Sequence, residues 1–204
     1  MTTPSSPTTS ISTPSASTLA FIKSKREELY QQIKLSDNDP SAWDDLITFE
    51  LTNGNSLTPQ EKLLLYIKAT DHMSSDNPND PFLVQIWIAY IQFEWQVERN
   101  KNETKGRFDY LKQSKIGTKS SNLYLAWAQF NVQIGKLTKA CELLQSAISK
   151  KVQPVKDLEM ELNRIQEIIQ SSSFIEENNS SLTSSSIQFQ FSEPKESMRE
   201  KEKE

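Results

Sequence analysis

The sequence predicts an all-α protein, a repeat solenoid of three helix pairs with a capping helix at each end and disordered tails. Apolar residues recur every three or four positions through the middle of the chain, which is the spacing of one helix face. A tryptophan-based motif returns at long intervals, which indicates repeated helical units. Only four glycines occur in 204 residues, and a β fold full of tight turns needs more.

The chain divides by composition into four parts. Residues 1–17 form a Ser/Thr/Pro-rich tail, residues 18–35 one helix, residues 39–170 the repeat domain, and residues 171–204 a low-complexity tail. The tails hold too few apolar side chains to be buried, so they are expected to be disordered. The middle of the chain is long enough to build a core of its own.

Prolines mark the predicted helix starts. Proline suits the first helical turn, where its missing N–H costs nothing. Three of these prolines follow a residue that can cap the helix: Asp39-Pro40, Thr58-Pro59 and Asp80-Pro81. Glu61 completes a capping box with Thr58. A helix from about Thr18 to Lys34, capped by Ser17, is expected before the repeats, and the C-terminal cap is expected from Pro154.

The first helices of the three predicted pairs resemble one another. Ser41–Glu50 aligns with Gln85–Glu94, and both segments read Trp, five residues, Phe, Glu. Residues 88–93 align in turn with residues 125–130, so the equivalent positions are 44 and 37 residues apart. Such periods, each holding two helices, are typical of a tetratricopeptide-like (TPR-like) solenoid. The residues expected in the repeat core are Trp43, Phe49, Trp87, Tyr90, Phe93, Tyr124, Trp127 and Phe130.

Charge and composition exclude several classes of partner. The net charge is −4, and no Lys/Arg stripe interleaves with aromatic residues, so nucleic acid is not expected. No apolar run is long enough to span a bilayer, and no secretory signal opens the chain, so no membrane partner is expected. With a single cysteine, the protein is expected to be soluble and intracellular.

The sequence offers no catalytic or metal constellation. The single histidine, His72, and the single cysteine, Cys141, fall in different repeats, so neither a metal site nor a nucleophile–base pair is expected. There is no phosphate-binding glycine loop and no kinase motif. Glu50 and Glu94 recur at one repeat position and are expected to be helix-surface charges. The chain is therefore predicted to be a non-enzymatic binding module that needs no cofactor.

Residues from about Asp39 to Gln170 resemble the N-terminal TPR domain of the monopolar-spindle checkpoint kinases, the TTK family. Three blocks carry the resemblance: Asp39–Leu46 with the Ser56–Pro59 link, Asn79–Tyr90, and the segment from Phe108 to Pro154. The third block is also similar to the TPR domain of the Bub/Mad checkpoint proteins, which share this fold. The TTK family is the first choice here and the Bub/Mad family the close second.

The resemblance implies a docking module of the mitotic spindle assembly checkpoint. It implies a location in cytoplasm and nucleus, at kinetochores in mitosis, with outer-kinetochore microtubule-binding proteins as partners and self-association as a homodimer. The kinase domain of the TTK family is absent from this sequence, so phosphotransfer is implied only if the chain is a fragment of a longer kinase.

Two alternative functions are compatible with a TPR-like fold: a generic TPR scaffold or adaptor and an RNA-processing half-TPR protein. Adaptors that clamp acidic C-terminal peptides need basic inner helices, and Trp87–Phe93 and Tyr124–Phe130 contain neither Lys nor Arg.

Two sets of polar residues are candidate sites. Gln85, Gln92 and Gln129 are expected on the inner helices, where they would hydrogen-bond a peptide; the alternative is that they are merely solvated. Thr3, Ser6 and Thr13 each precede a proline and are candidate phosphosites, although such dipeptides also arise by chance in a Ser/Thr/Pro-rich tail. Ile187–Phe191 alternates like a strand and is a candidate docking motif.

Overall fold

The computed structural model describes residues 15–53 and 57–184. Within these ranges it contains eight helices and no strand: α1 (Ala16–Leu35), α2 (Pro40–Asn53), α3 (Pro59–His72), α4 (Pro81–Glu98), α5 (Lys101–Gln113), α6 (Ser121–Gln133), α7 (Leu137–Ser149) and α8 (Val155–Ser184). The pairs are α2/α3, α4/α5 and α6/α7, with α1 and α8 as caps. The predicted all-α repeat architecture is confirmed. No described helix is long and apolar enough to cross a membrane.

The proline-led starts behave as expected. The Thr58 hydroxyl accepts from the Glu61 amide at 3.2 Å, and the Glu61 carboxylate accepts from the Thr58 amide at 2.8 Å, which completes the capping box. Asp80 accepts from the amides of Phe82 and Leu83. Helices α3 and α4 therefore begin where a side-chain oxygen satisfies N–H groups that have no intrahelical partner.

Both capping helices are longer than predicted. Helix α1 begins at Ala16 and is capped by Ser15, whose hydroxyl accepts from the Thr18 amide at 3.2 Å, so Ser17 lies inside the first turn. Helix α8 runs to Ser184, not to residue 170. Residues 155–184 contain neither glycine nor proline, the residues that most often end a helix. The helix therefore continues past residue 170 into the Ser-rich segment. The candidate phosphosites and Ile187–Phe191 lie outside the described residues.

The core forms two clusters that meet at α6. One face of α6 adds Leu123, Ala126 and Phe130 to a cluster built by α1 to α5. The other face adds Tyr124 and Ala128 to a cluster with α7 and α8. Because α6 is apolar on both faces, it joins the last repeat and the C-terminal cap to the rest of the stack.

Neighbouring first helices pack directly on one another, α2 on α4 and α4 on α6. In the described part of the chain, the second helices α3, α5 and α7 do not pack closely against each other. The second helices therefore lie apart, and the first helices form one packed layer, the side we call inner because helical solenoids of this kind present a concave surface there. This geometry produces an inner groove along α4 and α6 and an outer cleft between α5 and α7.

Two glycines close turns in the left-handed region, and they make a matched test. At both Gly117 (φ +68°) and Gly135 (φ +74°), a substituted alanine would have to adopt the unfavourable left-handed conformation. A Cβ at Gly117 would also lie 3.0 and 3.1 Å from the Val84 methyl groups, whereas a Cβ at Gly135 would meet nothing within 4 Å. We expect Gly117→Ala to lower the free energy of unfolding by about 2 kcal/mol and Gly135→Ala by about 1 kcal/mol, measured by urea denaturation. Equal losses would mean that Val84 moves aside freely.

Candidate protein-interaction surface

The three predicted glutamines lie in one groove on the inner side of the stack. Gln85 and Gln92 are seven residues apart on α4 and so share a helix face, and Gln129 lies opposite them on α6. All three side chains are exposed. The groove has a volume of about 390 Å³ and an apolar floor of Ile88, Ala89, Leu125 and Ala126. The structure thus brings the predicted residues together, and it leaves their role as peptide ligands a prediction.

Asn122 is a fourth amide in this groove that the sequence reasoning missed. The repeat register could have identified it. On the 37-residue offset Gln85 corresponds to Asn122, just as Gln92 corresponds to Gln129. Repeats two and three therefore carry amides at the same two positions of their first helices.

A second depression continues the groove toward the ends of α4 and α6. It has a volume of about 490 Å³ and shares Gln92, Ala126 and Gln129 with the first, so the two form one channel. At its far end the Trp95 indole donates to the Gln133 side chain, and the Arg99 guanidinium lies 5.3 Å from the Trp95 ring. The channel combines amides, one aromatic edge and one cation above an apolar floor, as ligand sites commonly do.

The chemistry of the channel suits hydrogen bonding to a peptide backbone. Each carboxamide has two N–H donors and one acceptor oxygen, so it can pair with both groups of a peptide unit. Within the described residues, the side chains of Gln85, Gln92 and Gln129 make no hydrogen bond to the protein. These groups are available to a ligand without breaking internal contacts.

The aromatic residues of the repeat motif lie in the core or against it. Trp43, Trp87, Tyr90, Tyr124 and Phe130 are buried, and Phe49, Phe93 and Trp127 are partly buried. Trp87 contacts the Tyr90 ring at 5.9 Å and the Tyr110 ring at 5.3 Å, which ties α4 to α5. These residues build the stack, as the periodicity predicts.

Glu50 and Glu94 are buried, so the prediction that they are helix-surface charges is wrong. Their exposed fractions are 5% and 3%. Glu50 accepts two hydrogen bonds from the Arg26 guanidinium of α1. The position recurs as Asn131 in the third repeat, where the side-chain amide donates to the Trp127 carbonyl oxygen. A polar side chain at this position thus recurs in all three repeats, with a different partner in each.

Glu94 lies in a small polar network. Its Oε1 accepts from the Tyr90 hydroxyl at 2.9 Å and from Arg107 of α5 at 3.3 Å. Burial, followed by the hydrogen bond to Glu94, raises the pKa of the Tyr90 hydroxyl, which keeps it protonated as a donor. The sequence does contain a signal for this network in the pair Phe93-Glu94. A charged side chain on the apolar side of a helix needs a partner of opposite charge or a hydrogen-bond donor.

Among the described residues, one group of carboxylates has ligand-like spacing: Glu94, Glu98 and Glu103, with oxygens within 4.8 Å of one another. The Arg107 guanidinium already lies against Glu94, and its positive charge opposes a cation there. We therefore interpret the group as an ion-pair network. His72 is exposed at the end of α3, and burial raises the pKa of the Cys141 thiol, which agrees with a packing role for that residue.

Comparison with known proteins identifies the family. The family model described as Mad3/BUB1 homology region 1 matches residues 24–148. A comparison with curated proteins gives no significant match.

Two solved structures share the fold. One is the conserved N-terminal domain of the mitotic checkpoint component BUB1, at 18% identity and a TM-score of 0.65, covering 78% of this chain and 83% of that one. The other belongs to a crystal structure of the mitotic checkpoint complex, at 20% identity and a TM-score of 0.64, covering 75% and 71%.

These findings fit the Bub/Mad resemblance and do not confirm the TTK resemblance. The sequence blocks that suggested the TTK family follow the helix register that both families share. They therefore predict the fold but do not distinguish one family from the other. The matched region is a non-catalytic helical interaction domain, and no kinase domain is indicated. Since the family model covers more than half of the sequence, the chain belongs to the Mad3/BUB1 homology region 1 family.

Proposed function

We propose that this chain is a docking module of the spindle assembly checkpoint and that it binds a partner peptide in the inner channel along α4 and α6. The observation that carries the proposal is the convergence of Gln85, Gln92 and Gln129 over an apolar floor. An extended peptide would lay apolar side chains on this floor while the amides pair with its backbone. Family membership supports the checkpoint assignment.

The partner is proposed to be another checkpoint protein. A chain with this fold occurs in the crystal structure of the mitotic checkpoint complex, which supports a partner from an assembly of that kind. The Bub/Mad interpretation has more support than the TTK interpretation. Kinetochore localisation, microtubule-binding partners at the outer kinetochore and homodimer formation stay predictions.

The test changes two amides of the channel. Gln92→Glu and Gln129→Glu preserve size and remove the N–H donors, so a peptide carbonyl would face a carboxylate instead. We expect the double variant to recover about tenfold less of the checkpoint partners than wild type, because two hydrogen bonds are lost and two charges are desolvated. The measurement is quantitative mass spectrometry of proteins that co-purify with the tagged chain from mitotic cells.

The matched control is Gln60→Glu with Gln145→Glu, which adds the same charge at exposed positions of α3 and α7. If both double variants retain the partners, the channel is not the docking site. If wild type itself enriches no checkpoint protein, the checkpoint assignment fails.

A further inference from the structure

The inner channel is charged at one end only. The residues that line its middle have apolar or amide side chains. At the far end, Arg99 is exposed, and its guanidinium lies 5.3 Å from the Trp95 ring, whose indole donates to Gln133 of α6. The Arg99 charge therefore lies where the ends of α4 and α6 meet. Among the described residues, no acidic side chain lines either part of the channel.

Three lysines lie near Arg99, and we call these four cations the basic mouth: Arg99, Lys101, Lys136 and Lys139. Lys101 opens α5 two residues after Arg99, and Lys136 lies between α6 and α7, three residues after Gln133. The pKa of Lys136 is lowered chiefly by the positive charge of Lys139 and also by that of Lys101, so the two connections are neighbours. Within the ranges that the structure describes, none of the four forms an ion pair. Bound carboxylates would relieve the repulsion between them.

Two acidic residues flank the connection between α4 and α5, and they belong to a different network. The carboxylates of Glu98 and Glu103 group with that of Glu94, where the Arg107 guanidinium supplies the positive charge. Neither Glu98 nor Glu103 lines the channel. The negative charge at this end of the stack thus has its own cation and lies outside the channel, whereas the charge that lines the channel is positive.

We infer that the peptide bound in the inner channel is polarised, with an apolar side chain on the floor at Ile88 and an acidic side chain three to five positions away at the basic mouth. The inference rests on the proposed function and specifies its ligand. Ile88 precedes Trp95 by seven residues and Arg99 by eleven, which is about 10 and 16 Å along a helix. An extended peptide covers these distances in about three and five residues.

The basic mouth would also determine the direction of the bound peptide. A carboxamide both donates and accepts, so the glutamines of the channel can pair with a peptide backbone that runs either way. A positive charge at one end removes this ambiguity, because only one direction brings the acidic side chain to it. Charge complementarity of this kind contributes more to specificity and association rate than to affinity.

The first test is selection from a phage-displayed library of random twelve-residue peptides on the immobilised full chain. We expect the enriched peptides to carry Asp or Glu three to five positions from a large apolar residue. The same selection on the variant Arg99→Glu with Lys136→Glu is expected to enrich Lys or Arg at that spacing instead. A purely structural effect of the two substitutions would lower enrichment but would not reverse the preferred charge.

Fluorescence anisotropy then measures the affinity of one enriched acidic peptide. We expect the Arg99/Lys136 variant to bind it at least about tenfold more weakly than wild type, and to prefer the same peptide with lysine in place of the acidic residue. The matched control, Lys34→Glu with Lys156→Glu, makes the same charge change at exposed positions of α1 and α8. It should change the affinity by less than about threefold. Equal weakening in the two variants would overturn the inference, because the attraction would then be nonspecific.

The channel variant Gln92→Glu with Gln129→Glu separates this inference from the proposed function. If the enriched peptides lose affinity for that variant but show no preference for acidic residues, the channel is the docking site and the inferred polarity is wrong. If they bind that variant as tightly as wild type, or if no peptide is enriched, the inference and the proposed function both fail.

Discussion

Replacing Phe108 with alanine is expected to lower the free energy of unfolding by about 4 kcal/mol, since large buried aromatic side chains typically cost 3–5 kcal/mol when truncated. Phe108 is 1% exposed and comes from α5. Its ring lies 5.4 Å from the Trp127 ring and 5.6 Å from the Phe130 ring, both on α6. The truncation would therefore open a cavity at the boundary between the second and third repeats. Urea denaturation followed by circular dichroism measures the loss.

A neighbouring ring on the same helix supplies the control for this prediction. Tyr110 is 48% exposed and contacts Trp87 within its own repeat, so Tyr110→Ala is expected to cost only about 1 kcal/mol. Stability in repeat proteins depends on the interfaces between neighbouring units, so Phe108→Ala should also lower the denaturant slope as the two halves unfold less cooperatively. A loss below about 2 kcal/mol with an unchanged slope would mean that Phe108 does not couple the repeats.

The fold followed from local information. The prolines and their caps identify helix starts without reference to the rest of the chain, as the Thr58–Glu61 capping box illustrates. The recurrence of Trp43, Trp87 and Tyr124 then gives the register, because each repeat must bury the same face against the next. The helix ends were harder to predict at Ser15 and after residue 170. The residues there are polar and can lie inside a helix or outside it, so the sequence does not fix the boundary.

The inner channel was predictable from the same register. Residues at equivalent positions of α4 and α6 must lie side by side, so Gln92 and Gln129 meet, and the rule that places them also places Gln85 beside Asn122. What the register cannot supply is the ligand. The channel offers amides above an apolar floor, and many extended peptides satisfy that chemistry.

The outer cleft and the buried glutamates were not predictable, because each depends on contacts between distant segments. Glu50 is paired with Arg26, which precedes it by 24 residues on another helix, and no local pattern indicates that meeting. The lysines that line the outer cleft, Lys112, Lys119, Lys150 and Lys151, come from α5 and from the connections that follow α5 and α7, and a net charge summed over the chain hides their clustering. Helix periodicity describes one helix at a time, whereas charge pairing and clefts arise from how helices pack.

Replacing Arg107 with methionine is expected to lower the free energy of unfolding by about 3 kcal/mol, because removing the half-exposed guanidinium leaves the buried Glu94 carboxylate without its compensating charge. Glu94 is 3% exposed, and its Oε1 accepts from the Tyr90 hydroxyl and from Arg107. Its Oε2 is buried and has no hydrogen-bond partner among the described residues. The carboxylate therefore depends on the guanidinium for charge compensation. Thermal and urea denaturation measure the effect.

The second substitution decides whether the loss comes from the stranded charge. If it does, adding Glu94→Leu to Arg107→Met should recover most of the stability, since the buried position would then hold an apolar side chain of similar size in place of an uncompensated charge. Lys105→Met is the matched control on α5, because its ion pair with Asp109 is exposed and should be worth less than about 0.5 kcal/mol. A double variant no more stable than Arg107→Met would contradict the explanation. The loss would then come from the packing of the Arg107 side chain, whose guanidinium lies 5.3 Å from the Tyr90 ring. Glu94 would in that case be stable in its buried position without a cation.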